Sequence, residues 1–141
     1  MKKWQIYYNR IEFFFLPSQG KKKLPEQCDL DENAVRTVNE KLDSQAVESV
    51  AETALNNQKV KREYESAIKA LKEGINPVDI GKKSTVVGKN KVLIKKDRGR
   101  FLVEISDNQV KVLGIGDRGN TPNMNKFKRL MNKMYDVNLQ Y

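Results

Sequence analysis

Between residues 45 and 74 the hydrophobic side chains recur at helical spacing. They occupy every third or fourth position, so they fall on one face of a helix. Gly74 suits the position just after a helix C-terminus, where glycine readily takes a left-handed conformation. The pattern predicts two helices that each bury one face, and its apolar positions are Val47, Val50, Ala51, Ala54 and Leu55, then Val60, Tyr64, Ala67, Ile68 and Leu71.

The helical region is predicted to begin earlier than this stripe. Asp31 suits an N-cap position, because its carboxylate can accept from the first backbone N–H groups of a helix. Val35, Val38 and Leu42 then fit one helical face. We therefore assign residues 26–75 to a helical part of the fold.

Between residues 84 and 118 the spacing of the hydrophobic positions is no longer helical. Short apolar runs alternate there with turn sequences, as in an antiparallel sheet. Asp97-Arg98-Gly99 is typical of a three-residue hairpin loop, with Gly99 at the position that needs a positive φ. Asp107-Asn108 is a candidate two-residue turn. The apolar runs are STVVG, a short strand or loop, and KVLIKK, RFLVEIS and QVKVLGIG, which we expect to form a three-stranded meander.

The two ends of the chain complete the predicted fold. Residues 1–25 open with the strand-like sequence KKWQIYY and continue into a loop. Thr121-Pro122 offers an N-cap and a first-turn proline for a C-terminal helix over residues 121–136. We expect a single α+β domain over residues 1–141, in which N-terminal helices pack on a small antiparallel sheet. That sheet would combine the meander with one N-terminal strand, and the C-terminal helix would close the fold.

The Asp107-Asn108 turn assigns the faces of the predicted sheet, because side chains alternate along a strand. It places Glu104 opposite Lys111 and Leu102 opposite Leu113. One face is apolar and must be covered by helices; it carries Phe101, Val103, Ile105, Val110 and Val112. The other face is expected to be more open; it carries Arg100, Leu102, Glu104, Lys111, Leu113 and Ile115, with Lys95 or Lys96 and with Arg118 just past the strand end.

Charge and composition narrow the possible functions. The chain carries a net charge of +9, and residues 80–141 hold fourteen basic against five acidic side chains. Such a cationic block favours a polyanionic partner, because phosphate contacts release counterions. The chain has no histidine and a single cysteine, Cys28. Histidine-based catalysis, ordinary zinc sites and an internal disulfide are therefore excluded. We expect no cofactor, no metal and no membrane segment, and a cytoplasmic site of action.

The sequence GIGDRG at residues 114–119 has the spacing of a dinucleotide-binding loop. That loop belongs to a βαβ unit, in which the helix returns to a further parallel strand. Here the motif ends an antiparallel meander, and the 22 residues after Gly119 are nearly consumed by the predicted helix. We therefore interpret the glycines as a strand end where backbone can approach a ligand closely.

These segments resemble the RelE/ParE toxin family, which belongs to a wider superfold with barnase-like and colicin-type ribonuclease toxins. The resemblance is carried by KVLIKKDRGRFLVEISDNQVKVLGIGDR, residues 91–118. The family pattern of an arginine opening a strand matches Arg100-Phe101-Leu102-Val103-Glu104-Ile105. The arginine after the last strand matches Arg118. The resemblance implies a helix hairpin packed on an antiparallel sheet whose basic concave face handles RNA.

The resemblance also implies which side chains act on RNA. Metal-free cleavage drives the 2′-OH onto the adjacent phosphorus, and guanidinium groups suit the charge that develops there. We expect the catalytic residues to be Arg100, Arg118, Lys96, Lys95 and Glu104, with a lysine or Glu104 as proton acceptor and a lysine, Tyr135 or Tyr141 as donor. The RNA-binding residues expected around them are Lys91, Lys111, Arg98 and Lys89.

The predicted function is a toxin of the RelE/colicin type, a metal-independent endoribonuclease that cleaves mRNA or tRNA. Its expected partners are RNA and an acidic antitoxin or immunity protein that covers the basic face. Two alternatives stay open. The first is a ParE-type toxin that inhibits a topoisomerase, which the lack of the family's tyrosine soon after Arg118 favours. The second is a nucleic-acid-binding accessory protein without enzymatic activity.

Overall fold

A computed structural model describes residues 36–140. Within this range the chain is α+β, with three α-helices and a five-stranded mixed sheet. The strands are β1 (Thr37–Asn39), β2 (Thr85–Gly88), β3 (Lys91–Lys95), β4 (Gly99–Ser106) and β5 (Gln109–Asp117). The helices are α1 (Gln45–Leu55), α2 (Gln58–Lys72) and α3 (Thr121–Tyr135), and Pro77–Asp79 form a short 3₁₀ turn.

Side-chain caps begin the three helices. The hydroxyl of Ser44 accepts from the Val47 N–H at 3.2 Å and so starts α1. The amide oxygen of Asn57 accepts from two backbone N–H groups at the start of α2. Asn120, and not Thr121 as predicted, caps α3, because its side chain reaches the Asn123 N–H at 3.1 Å. The predicted apolar stripes of α1 and α2 are confirmed, since their central positions are buried.

The sheet has the order β1-β5-β4-β3-β2. Strands β2 to β5 form an antiparallel meander, as predicted for β3 to β5. The predicted purely antiparallel sheet is wrong, because β1 pairs with β5 in parallel, with Val38 opposite Val110. The strand expected within residues 1–25 lies outside the described residues.

The helical spacing of Val35, Val38 and Leu42 gave a wrong prediction, since residues 37–39 form β1. Three apolar positions are too few to decide between periods, and tertiary contacts decided here. The Thr37 N–H donates to the Asn108 carbonyl at 3.0 Å, which attaches the segment to the edge of β5. Beside it, the buried Arg36 guanidinium donates to the Ile75 carbonyl at 2.9 Å.

The register between β4 and β5 follows the prediction near the turn and departs from it farther on. Glu104 lies opposite Lys111, as predicted, but Leu102 lies opposite Gly114 and not opposite Leu113. A bulge between Leu102 and Val103 causes the shift. One extra residue on β5 reverses the alternation beyond it, so Ile115 joins the face of the sheet opposite to the one predicted.

The second face of the sheet was predicted to be open, and this is wrong. Leu102 and Leu113 lie in a buried cluster with Phe127 and Met131 of α3. The first face packs against α2, while α1 contributes side chains to both clusters. The apolar side chains on that face are more stable out of water, and α3 buries them. RNA therefore has no concave sheet face to lie on within residues 36–140.

Two glycines of β5 allow α3 to approach the sheet. A Cβ on Gly114 would lie 2.5 Å from the Met131 sulfur, and one on Gly116 would lie 2.7 Å from the Phe127 ring. These distances are well inside van der Waals contact. The predicted close approach to a glycine backbone is thus real, but its partner is a helix and not a ligand.

Candidate functional site

An open pocket of about 540 Å³ lies at one end of the sheet, where β3 ends, β4 begins and β5 ends. Six cationic side chains surround it, against a single carboxylate, Asp97. Asp97 already pairs with Lys59 of α2, and this hydrogen bond lowers the pKa of Asp97. We call this site the cationic pocket; it is lined by Gly81, Lys82, Lys83, Lys95, Lys96, Asp97, Arg100 and Arg118.

Arg100 provides a fixed guanidinium in the cationic pocket. Its Nη1 donates to the carbonyl of Lys96 at 2.6 Å and to that of Gly99 at 3.0 Å. Among residues 36–140 it forms no salt bridge, so backbone carbonyls orient its guanidinium, while the carboxylates of Glu63 and Asp97 act on its charge without contacting it. Burial and the nearby guanidinium of Arg118 lower the pKa of Arg100. Both effects disfavour the cation, and an anion bound beside it would offset both.

Arg118 is exposed and follows β5 directly. Its backbone N–H donates to the Arg98 carbonyl at 2.9 Å, and its Nε donates to the Asp97 carbonyl at 3.3 Å. These two bonds hold it against the β3–β4 loop and beside Arg100. Two guanidinium groups are thus brought together in one pocket, an arrangement suited to the oxygens of a phosphate.

The loop over residues 81–84 forms a second wall of the cationic pocket through Gly81, Lys82 and Lys83. Gly81 has φ +84°, and a Cβ there would collide with the Lys95 carbonyl. The buried hydroxyl of Ser84 accepts from the Lys95 N–H at 2.9 Å and donates to the Ile80 carbonyl. The loop is therefore attached to β3, which places Lys82 and Lys83 next to Lys95.

Replacing Gly81 with alanine is expected to lower the free energy of unfolding by about 1–3 kcal/mol, because the new side chain meets both an unfavourable φ and the β3 backbone. Urea denaturation measures the change. Lys82→Ala, an exposed neighbour in the same loop, is the control and is expected to stay within about 0.5 kcal/mol of the parent. An alanine at 81 that costs no more than the control would contradict this account of the loop.

A hydrogen-bonded scaffold beside the pocket joins the β3–β4 loop, which precedes Arg100, to the segment after β5, which carries Arg118. The buried carboxylate of Asp117 accepts from Arg98 Nε at 2.6 Å, from Arg98 Nη2 at 3.0 Å and from the Gly119 N–H at 2.8 Å. Glu63 of α2 accepts from the backbone N–H groups of Arg98 and Gly99, at 3.1 and 2.7 Å. Both segments are thereby held in one conformation.

The structure brings together four of the predicted catalytic residues, Arg100, Arg118, Lys95 and Lys96. Lys95, and not Lys96, lies opposite Arg100 in the sheet, which decides the register left open by the sequence. Arg98 lies beside the pocket, but its guanidinium is occupied by Asp117. The sequence reasoning missed Lys82, Lys83 and Glu63, because only the tertiary fold brings the 81–84 loop and α2 to this end of the sheet.

The remaining predicted site residues lie at the other end of the sheet. Glu104 stands four residues along β4 from Arg100, a distance of about 13 Å in a strand. It pairs with Lys91 at 3.4 Å, while Lys111 pairs with Asp43 at 2.9 Å. Lys89 lies at this end too, in the turn between β2 and β3. The predicted convergence of these side chains with the arginines is therefore wrong.

Tyr135, a predicted proton donor, belongs to that distant end as well. Its hydroxyl donates to Asp43 at 2.7 Å. Hydrogen bonds from Lys111 and Tyr135 lower the pKa of Asp43, while burial and the Asp43 carboxylate raise the pKa of Tyr135. The hydroxyl is therefore a poor proton source for the cationic pocket. Tyr141, the other candidate, lies outside the described residues.

The surface away from the cationic pocket includes a groove of opposite charge. This groove, of about 880 Å³, is bordered by α1, α2 and the segment after β1. Four of its side chains are acidic, Glu40, Glu48, Glu52 and Glu65, against one basic side chain, Lys61. A polyanion is repelled there and attracted to the cationic pocket, so the charge distribution would orient it.

Comparisons with known proteins give no further assignment: no family profile, no curated protein and no solved structure matches the chain. Within residues 36–140 no cluster of three or more histidine, cysteine, aspartate or glutamate residues could hold a metal ion. The same range contains no helix with the length and apolar character needed to cross a bilayer.

Proposed function

We propose that the protein is an endoribonuclease of the RelE/colicin type that binds an RNA phosphate in the cationic pocket and cleaves beside it. The observation that carries the proposal is the meeting of Arg100 and Arg118 among four lysines, with a single carboxylate that is already paired. Guanidinium groups that are oriented by backbone carbonyls and form no salt bridge within residues 36–140 suit the dianionic oxygens of a phosphorane. The cytoplasm, where mRNA and tRNA are found, is the proposed site of action.

The proposed reaction is an internal transfer at phosphorus. The 2′-OH oxygen attacks the adjacent phosphorus, the bond from phosphorus to the 5′-oxygen breaks, and a 2′,3′-cyclic phosphate and a 5′-OH result. One proton leaves the 2′-OH and one reaches the departing 5′-oxygen. Arg100 and Arg118 would stabilise the non-bridging oxygens. Lys95 and Lys96 are the nearest groups for the two proton transfers, since Glu104 lies at the other end of the sheet.

RNA cleavage in EDTA tests the proposal. The purified protein is incubated with total RNA, with and without ribosomes, and the new ends are checked for 2′,3′-cyclic phosphate. We expect cleavage by the parent protein and loss of about 10²-fold or more in Arg118→Ala, as for removal of one oxyanion donor. The matched control is Lys133→Ala, an exposed cation on α3. Intact RNA in every condition, with a protein shown to be folded, would overturn the proposal.

A second candidate, a nucleic-acid-binding protein without enzymatic activity, is favoured by one observation. Among residues 36–140 the only carboxylate that lines the cationic pocket is Asp97, which pairs with Lys59, so this part of the chain supplies no unpaired carboxylate to accept a proton there. Strong, salt-dependent RNA binding without turnover would support this candidate. A ParE-type toxin would instead inhibit a topoisomerase in a supercoiling assay. A toxin of either type is expected to have an acidic partner protein that covers the cationic pocket.

A further inference from the structure

We propose that the cationic pocket binds two or more successive phosphates of one nucleic-acid strand and recognises no base. This inference deepens the proposed function and rests on it only in taking nucleic acid as the ligand. The arginines hold one phosphate, and the 81–84 loop, with Lys82 and Lys83, holds the next. The substrate class is therefore any strand with consecutive phosphodiesters, independent of its sequence.

The charge of the cationic pocket exceeds what one phosphodiester would neutralise. Six cations face one carboxylate, and that carboxylate is shared with Lys59. A phosphodiester carries a single negative charge, so one bound phosphate would leave most of the cations facing one another. Like charges held close together repel, and each further phosphate relieves part of this repulsion.

The size of the pocket agrees with more than one phosphate. A sphere of 540 Å³ is about 10 Å across. Successive phosphates of one strand are joined through a sugar, so they lie farther apart than the axial rise of about 3.4 Å in a duplex. The opening is therefore wide enough for two successive phosphates.

The two walls differ in how their cations are held. Arg100 and Arg118 are bound to backbone carbonyls and present fixed guanidinium groups. Lys82 and Lys83 are exposed on a loop whose backbone is anchored at Gly81 and whose side chains form no salt bridge with residues 36–140. The arginine wall offers forked contacts to one phosphate. The lysine wall offers point charges to its neighbour, which tolerate several strand geometries.

The described lining of the pocket offers few groups that read a base. Sequence-tolerant stacking on single strands depends on aromatic side chains, and asparagine or glutamine reads adenine, whereas arginine and lysine can bind phosphate as well as guanine. Among the described residues that line the pocket there is no aromatic side chain, no asparagine and no glutamine. The lysines and arginines of the pocket therefore favour the sugar–phosphate backbone of the nucleic acid as the ligand.

Salt-dependent binding tests the inference. The probe is a fluorescein-labelled 2′-O-methyl oligouridine of about 12 nucleotides, within the range of single-strand sites, which lacks the attacking hydroxyl and so stays intact. Its Kd is measured by anisotropy across a series of salt concentrations. Because each phosphate contact contributes about 0.7 to the slope on a single strand, we expect Lys82→Gln/Lys83→Gln, which removes the site of one phosphate, to make the slope shallower by about 0.7.

Matched variants separate this effect from a general loss of charge. Lys69→Gln/Lys72→Gln removes the same two charges from exposed positions at the far end of α2 and is expected to leave the slope unchanged. Oligoadenosine of the same length and modification is expected to bind within about threefold of oligouridine. At equal ionic strength, tripolyphosphate should displace the probe better than pyrophosphate, and pyrophosphate better than phosphate.

The possible failures are distinguishable from a failure of the proposed function. If the Lys82/Lys83 variant keeps the parent slope while Arg100→Ala lowers it, the second phosphate site is overturned and the arginine site stands. A strong preference for one base would overturn the backbone-only recognition. If the parent does not bind the probe at all, both are overturned. Binding that follows the prediction without RNA cleavage would support the inference and contradict only the endoribonuclease.

Discussion

Arg100→Ala is expected to lower kcat/KM for RNA cleavage by about 10²- to 10³-fold, the usual cost of removing a donor aimed at developing negative charge. The guanidinium is oriented by the carbonyls of Lys96 and Gly99, so no reorganisation is needed as charge builds on the phosphorane. Arg100→Lys keeps a cation but loses the forked geometry, and we expect an intermediate rate. Single-turnover cleavage of a short RNA in EDTA measures all three proteins.

The control for this prediction is Arg129→Ala, which removes an exposed arginine from α3. It is expected to cleave RNA at close to the parent rate. Urea denaturation of each variant shows whether a lost activity reflects a lost fold, since the Arg100 side chain also bonds the loop before β4. Parent-like cleavage by a folded Arg100→Ala protein would remove Arg100 from the mechanism.

Asp117→Ala is expected to lower the free energy of unfolding by about 1–3 kcal/mol, because it removes a buried acceptor of several hydrogen bonds. The side chain of Asp117 is only 3% exposed, and it accepts three hydrogen bonds from Arg98 and Gly119. Without it the Arg98 guanidinium loses its salt bridge, and the segment that carries Arg118 loses its anchor. Urea midpoints and slopes give the change in free energy.

Two further variants make this second prediction specific. Asp117→Asn keeps an oxygen for the Gly119 N–H but loses the charge, so we expect a smaller loss than for alanine. Glu65→Ala removes an exposed carboxylate from α2 and is expected to change stability by less than about 0.5 kcal/mol. If Asp117→Ala were no more damaging than Glu65→Ala, the scaffold beside the cationic pocket would not be what holds the two segments.

The GIGDRG sequence shows how a motif can be correctly located and wrongly explained. Its first two glycines allow α3 to pack on β5. Asp117 ties the strand end to the β3–β4 loop, and Arg118 extends into the cationic pocket. In the dinucleotide-loop motif the positions of Asp117 and Arg118 can be any residue. Here these two residues build the site.

Local patterns were sufficient for part of the fold. Helical spacing predicted α1, α2 and α3, and the turn sequence at Asp107-Asn108 predicted the pairing of Glu104 with Lys111. Each of these depends on contacts within an element or across one tight turn, so neighbouring residues carry the whole signal. The same locality explains why Arg100 and Arg118 were found, since each stands at the end of a strand that its own residues define.

Tertiary structure decided the rest, because the deciding contacts join distant parts of the chain. The pairing of β1 with β5 depends on segments about 70 residues apart, and the bulge at Leu102 and Val103 has no clear local signature. Helix α3 packs on the second face of the sheet. This is the face on which Glu104 and Arg100 were expected to converge. Lys82 and Lys83 entered the site through the attachment of Gly81 and Ser84 to β3. The sequence by itself determined which strand ends carry cations. Packing between distant segments determined which of those cations meet, because burying the apolar faces within residues 36–140 leaves the cationic pocket at one end of the sheet open to a polyanion.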